Sequence, residues 1–230
     1  IPPGQMTASA RHVVITRDDV ALTDPDGDYL FSANIGTVLP VSDSTPTGDT
    51  VLVPVADPTR QARWIEVRIP HDQAEPFPLV LTPLNLASLA ERFMGQPYGW
   101  GDSYEGRDCS GTIRDLFAPF GLWLPRNSAD QAELGRVIPL AEQANEKREK
   151  IILSQGRPFL TLIQLPGHIM LYLGEYEGHP ALLHTFWGVR TKTLIGKEGR
   201  WIVGKTVITT LQPGAEENGI FLKIGSLRDR

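Results

Sequence analysis

From residue 12 to residue 70 the chain alternates short apolar runs with polar turns. "HVVIT", "VAL", "TVLPV", "TVLVPVA" and "RWIEVRI" are rich in β-branched residues, which fit a pleated surface. "DPDGD", "DSTPTGD" and "ADPTRQ" lie between them and supply turn-forming Asp, Gly and Pro. Five short strands at this spacing predict a small β-barrel. The proline-rich "IPHDQAEPFPLVLTP" then interrupts every periodicity. It sets a domain boundary near Ala74 to Pro83, dividing the chain into residues 1–76 and 77–230.

Past Thr82 the apolar period becomes helical. Thr82 can cap, Pro83 suits the first helical position, Leu86, Leu89, Ala90 and Phe93 share one face, and Gly95 can end the helix. A second helix is predicted from Cys109, with Ile113, Leu116 and Phe117 inward and Pro119 as its stop. In "LPRNSADQAELG", Ser128 and Gln131 have capping-box spacing and Gly135 sits where a C-terminal cap belongs. A charged helix is expected over roughly residues 140 to 155. "FLTLIQL", "GHIMLYLG", "HPALLHTFW" and "WIVGKTVITTL" follow as strands with glycines at the turns. Helices followed by antiparallel strands make an α+β class. No repeat or low-complexity segment interrupts this plan.

Composition narrows the classes of function. The 230 residues are 41% hydrophobic, enough to bury ordinary cores. A net charge of -5, with no run of one sign, argues against nucleic acid as a partner. No apolar stretch approaches the ~18 residues of a membrane span. The start "IPPGQMTASA" has neither the basic head nor the apolar core of a signal peptide, and opening on Ile1 suggests a processed or truncated product.

There is one cysteine, Cys109, so neither an internal disulfide nor a multi-cysteine zinc site can form. A lone cysteine is more often a small buried hydrophobe than a catalyst. The flanks "GRDCSG" are small and polar, which suits an exposed turn better. At a helix start its sulfur would meet the positive end of the dipole, expected to lower its pKa toward or below neutral.

A catalytic thiolate needs a base. His12 and His71 fall in the strand-rich part and its linker. His168 opens "HIMLYLG", and alternation puts it on one face with Met170 and Tyr172; the plainer reading is a hydrogen-bonded strand histidine. A hairpin centred on Tyr176 would set residue 173 opposite 179 and 168 opposite 184. Under that register the imidazoles of His168 and His184 meet, one as base and one orienting it. A slip of one residue would separate them and leave His179 or another polar group as third member. The sequence holds no phosphate loop, dinucleotide fingerprint, helical His pair with a Glu, or calcium loop, so no metal or nucleotide cofactor is implied. The aspartates of "TRDDV" and "TDPDGD" read as turn formers.

"QPYGWG", "RDCSGTIRDLFAPFGLWLPRNSADQ", "PGHIMLYLG" and "LLHTFWG", in this order and spacing, resemble the NlpC-type cysteine peptidases of bacterial cell walls. The resemblance covers roughly residues 82 to 210, and the combined motifs are far more specific than Asp-Cys-Ser-Gly alone. The N-terminal strands look like the bacterial SH3-like barrel preceding many such domains. The chain is closest in pattern to members with two such barrels, and would then retain the second.

The resemblance implies a papain-like α+β core. It implies hydrolysis of peptidoglycan stem peptides or muropeptides, usually between γ-D-glutamate and the next diamino acid, without cofactor, in the cell envelope or periplasm. By matching position Cys109 would be the nucleophile, His168 the general base and acid, and His184 the orienting residue. Tyr98 would help hold the oxyanion, while Trp100, Asp108, Ser110 and Ser128 would line subsites for L-alanine and D-glutamate. Each has a plainer reading: Ser128 as a helix cap, Trp100 and Trp123 as core packing, Arg126 as an ion-pair partner. Two rivals stay open, a catalytically silent wall-binding module and an amidase or acyltransferase using the same Cys/His pair.

Overall fold

The computed structural model describes residues 11–193, 197–213 and 222–224, so the start "IPPGQMTASA" lies outside the described residues. The chain divides into two compact units. One comprises the chain up to Asn85 together with Asp115–Trp123, the other Leu86–Arg114 and the chain from Leu124 onward.

The first unit is built from seven strands: β1 (His12–Ile15), β2 (Val20–Thr23), β3 (Tyr29–Ala33), β4 (Val38–Thr45), β5 (Gly48–Ala56), β6 (Ala62–Pro70) and β7 (Ala74–Pro76). Five form an antiparallel sheet in the order β6-β5-β4-β1-β7, and β2 and β3 pair separately. Alternation decides the inner face. Val20 and Leu22 point in and Ala21 and Thr23 out on β2, while Val51 and Val53, Val67 and Ile69, and Val13 and Ile15 join them in one core. Asp24 does serve a turn, its Oδ1 accepting from the N–H groups of Asp26 and Asp28, whereas Asp18 Oδ1 accepts from the distant N–H of Ile35.

Two strands exceed the five expected. In β3, Tyr29 is exposed and carries no inward signal. The other, β7, lies in the proline-rich stretch, which an edge strand tolerates because Pro76, opposite Val13, need not donate outward.

Next in the chain comes α1 (Pro83–Phe93), whose Leu86, Leu89, Ala90 and Phe93 are buried; the Thr82 hydroxyl accepts from Asn85 N–H at 3.2 Å and starts the helix. After it come α2 (Cys109–Phe117), α3 (Ser128–Ala132) and α4 (Asn145–Gln155). The capping box at Ser128 does not form. Asn127 precedes α3, Ser128 is the first helical residue, and no side chain caps that end. Gln131 is buried, and its amide nitrogen donates instead to the carbonyls of Ser110 and Pro125, at 3.0 and 2.8 Å.

Strands β8 (Leu162–Leu165), β9 (His168–Tyr176), β10 (His179–Thr193), β11 (Glu198–Thr209) and β12 (Leu222–Ile224) follow. They make an antiparallel sheet in the order β11-β10-β9-β8, with β12 also on β10. The central strands are buried on both faces: Met170, Tyr172 and Leu182 on one, Ile169, Leu171 and Leu183 on the other. Ile152 of α4 packs into the first of these clusters.

Candidate active site

Asp108 stands immediately before α2 and caps it. Its Oδ1 accepts from Gly111 N–H at 2.8 Å and from the Ser110 hydroxyl at 3.1 Å. Arg126 grips both carboxylate oxygens, at 3.0 and 2.8 Å, donates to Ser110 Oγ at 3.0 Å, and lies 3.0 Å from Asp102. Arg126 is thus an ion-pair partner, as the plainer reading of the sequence had it. Burial works against the Asp108 carboxylate, but Arg126, Gly111 and Ser110 outweigh it and hold the pKa below the usual value.

This cap fixes Cys109 as the first residue of α2. A second device, absent from the sequence reading, pins the helix to the sheet. Thr112 donates to Asp108 O at 2.9 Å and lies 2.5 Å from the hydroxyl of Thr185 on β10, which lies 2.6 Å from that of Thr206 on β11. All three threonines are buried. Because Thr112 spends its proton on a carbonyl, the hydroxyls form one directed chain from β11 through β10 to the start of α2.

Cys109 is buried rather than exposed. Burial pushes its thiol pKa up; the backbone N–H of Ile169 pulls it down, Asp108 pushes it up, and the N–H groups of Ser110 and Cys109 pull it down. The net direction is upward, so the lowering expected from the helix start is outweighed by desolvation. That direction favours the protonated thiol over the thiolate at neutral pH. Ile169, whose backbone favours the thiolate, is the residue after His168, which sets the thiol near the start of β9.

His168 is half-buried and His184 fully buried. His168 Nε2 lies 2.8 Å from His184 Nδ1, and His184 Nε2 lies 2.9 Å from the hydroxyl of Thr209. Phe186 stacks on His184 with ring centroids 4.3 Å apart and planes 7° from parallel. Burial, then the neighbouring His168, hold the His184 pKa well below the ordinary value, so its ring is neutral.

The imidazoles meet by a different register from the one expected. The hairpin starts with His179 opposite Tyr176 and Ala181 opposite Gly174, then shifts so that Leu182 faces Tyr172. Leu173 is the extra residue of this bulge, and Gly174 takes φ +131°, a conformation favouring glycine. Had the first register continued, His184 would face Leu171 and sit on the opposite side of the sheet from His168. The bulge restores the shared face, with the histidines as diagonal neighbours instead of direct partners. His179 takes no part: its Nδ1 lies 2.6 Å from Glu149 on α4.

Tyr98 is half-buried and carried by a segment added to β11. Its N–H donates to Gly204 O at 2.9 Å, it bridges Arg107, and Gly99 N–H donates to Arg107 O at 3.0 Å. Burial, then the neighbouring Cys109 and Asp108 groups, raise the phenol pKa, so it stays a donor at neutral pH. Its ring lies 6.0 Å from that of Trp187. Ser110 is buried under Arg126, and Ser128 is half-buried. Trp100 and Trp123 are 80% and 81% exposed, which excludes the core-packing reading for both. Among the described residues no group of three or more His, Cys, Asp or Glu side chains could hold a metal ion.

Comparison with known proteins adds an independent line. Residues 95–194 match the NlpC/P60 family, and residues 4–46 match the SH3 domain of SH3b2 type. Peptidoglycan endopeptidase RipB of Mycobacterium tuberculosis is 36% identical over 99 residues, covering 36% of this chain and 36% of RipB. A gamma-D-glutamyl-L-lysine dipeptidyl-peptidase of Bacillus subtilis is 45% identical over 49 residues, covering 21% of this chain and 17% of that protein. The chain thus spans about a third or less of these relatives. Among solved structures, an NlpC/P60 endopeptidase from Photobacterium damselae subsp. piscicida superposes with a TM-score of 0.77 at 27% identity, over 95% of this chain and 51% of that one.

Proposed function

We propose that the chain, whose residues 95–194 match the NlpC/P60 family and whose residues 4–46 match the SH3 domain of SH3b2 type, is a cysteine endopeptidase of peptidoglycan stem peptides. The bond cleaved is the one between γ-D-glutamate and the following diamino acid. In this reading residues 1–76 form the SH3-like barrel, residues 77–230 form a papain-like peptidase domain, and the protein works in the cell envelope or periplasm.

One observation carries the reading: a buried neutral imidazole, His184, lies 2.8 Å from His168, and the next residue after His168, Ile169, is the backbone neighbour that favours the Cys109 thiolate. That is the order nucleophile, base, orienting group which thiol acyl transfer needs. His168 removes the Cys109 proton as the sulfur attacks the γ-glutamyl carbonyl carbon. The tetrahedral oxyanion is met by backbone N–H at the start of α2 and by the Tyr98 hydroxyl. Protonated His168 then gives its proton to the departing diamino-acid amine, leaving a thioester. A water deprotonated by His168 cleaves that thioester and regenerates the thiol. Every proton is carried by a group present in the chain. Trp100, exposed beside Tyr98 in sequence, and Asp108, Ser110 and Ser128 complete the proposed substrate-facing set, Asp108 and Ser110 doubling as the scaffold of the nucleophile's helix.

The bond assignment draws support from the Bacillus subtilis relative, whose name specifies a γ-D-glutamyl linkage. The test is mass spectrometry of L-Ala-γ-D-Glu-diaminopimelate after incubation with the protein, with Cys109→Ala as control. Free diaminopimelate from the parent alone is expected. Absence of cleavage of this peptide and of longer muropeptides overturns the reading in favour of a wall-binding role, and release at the muramic-acid linkage makes it an amidase.

A further inference from the structure

Thr209 is the last residue of β11, and the strand register sets His184 opposite Val207, so Thr209 is the diagonal neighbour of His184 on the same face. Its hydroxyl lies 2.9 Å from His184 Nε2 and donates to the carbonyl of Thr210 at 2.8 Å. A hydroxyl has one proton. Since Thr210 O takes it, Thr209 Oγ1 presents only a lone pair to the ring, and His184 Nε2 must carry the hydrogen.

The rest follows by exclusion. His184 is fully buried and neutral, so a proton on Nε2 leaves a lone pair on Nδ1, 2.8 Å from His168 Nε2. His168 Nε2 is then a donor, and the basic nitrogen of neutral His168 is Nδ1. Were the Thr209 hydroxyl turned to donate instead, each proton would move to the other ring nitrogen, and His168 would carry its hydrogen on Nδ1, unable to accept one there. The turn after β11 holds the deciding carbonyl: Gln212 N–H donates to Thr210 Oγ1 at 3.2 Å, and Leu211 and Pro213 are buried.

We infer that Thr209 is a positioning residue, the link that passes a one-way chain from His168 through His184 on to the Thr210 carbonyl and so fixes which nitrogen of His168 acts as base. This rests on the proposed assignment of His168 as base to Cys109. No resemblance assigned the position. Its partner lies 25 residues earlier in the sequence, and only the strand register joins them.

Thr209→Val keeps the shape of the side chain and removes the acceptor, and Thr209→Ser keeps the acceptor. Long-range proton–nitrogen NMR of the parent is expected to show His184 protonated on Nε2 alone, a signature lost in Thr209→Val and kept in Thr209→Ser. With muropeptide substrate, Thr209→Val is expected to lose about 10- to 100-fold in kcat/KM and to displace the acid limb of its pH profile. Thr209→Ser should recover most of the rate. A parent His184 protonated on Nδ1, or a Thr209→Val enzyme with an unaltered ring signature and pH profile, overturns the inference. The NMR result needs no substrate, so if the parent cleaves no muropeptide the proposed function falls while Thr209 is still decided. The first measurement also requires only the parent, so failure of Thr209→Val to fold leaves the inference open to refutation.

Discussion

His168 Nε2 and His184 Nδ1 lie 2.8 Å apart although the two residues are not opposite one another in their hairpin. The contact depends on one extra residue, Leu173, which shifts β9 so that both imidazoles share a face. With Phe186 stacked on His184, the acceptor is held in one plane relative to its donor. His184 is fully enclosed, and only His168 is partly open to solvent, which suits the proposed role of His184 in orienting His168.

Replacing His184 by Ala should therefore loosen His168 rather than remove the base. Loss of a hydrogen bond that strengthens when His168 is charged costs about 1.5–3 kcal/mol, or about 10- to 150-fold in kcat. KM should change little. Steady-state kinetics on a muropeptide check this, and an unchanged kcat would mean that another group orients His168.

Asp108 tests how the nucleophile is held. Asp108→Ala removes the cap of α2 and leaves Arg126 without its principal partner, and should destabilise the protein by about 1–3 kcal/mol. Asp108→Asn keeps an oxygen for Gly111 N–H and should recover part of that loss. Urea unfolding of the three proteins gives the comparison, and equal midpoints for parent and Asp108→Ala would refute the capping role.

Gly99 tests the support of Tyr98. A Cβ at this position would come within 2.4 Å of Ser103 O and 2.6 Å of the Gly106 carbonyl carbon, backbone atoms that cannot swing aside. Gly99→Ala should force apart the segments that carry Tyr98 and Arg107, costing about 1–3 kcal/mol and lowering kcat together. Thermal denaturation and kinetics read both effects. An unperturbed variant would show that the close approach is not required.

Local signals carried the helices. Thr82 and Pro83 mark the start of α1, and apolar residues at helical spacing gave its buried face and that of α2. The pairing of His168 with His184 is legible as two histidines on neighbouring strands, but its route is not, because a single-residue bulge leaves no mark beyond the glycine at Gly174. Ser128 and Gln131 mislead for a related reason: the spacing of a capping box is local, whereas Gln131 is claimed by carbonyls of Ser110 and Pro125. Thr112, Thr185, Thr206 and Thr209 read as ordinary strand and helix threonines until the register of β10 on β11 lines up the first three hydroxyls on one face and sets Thr209 against His184 on the other. Trp100 and Trp123 show the same limit from the other side, since nothing in an isolated tryptophan distinguishes a core position from an exposed one.

The neutral, buried His184 also makes stability depend on pH. Its folded pKa lies well below the value of about 6.5 expected for the unfolded chain, so below that pH the unfolded chain binds a proton that the folded protein refuses. The contribution is fully present above about pH 6.5 and is lost as the pH falls toward the folded pKa, at about 1.4 kcal/mol per pH unit. Urea midpoints for the parent should fall steadily from pH 7 to pH 5, beyond any decline caused by the carboxylates. His184→Gln cannot take up this proton, so its profile should be flatter by that slope, even if its stability at pH 7 is lower. Parallel profiles for the two proteins would mean that His184 binds its proton in the folded state as readily as in the unfolded chain, and would remove the basis for treating it as the neutral acceptor of His168.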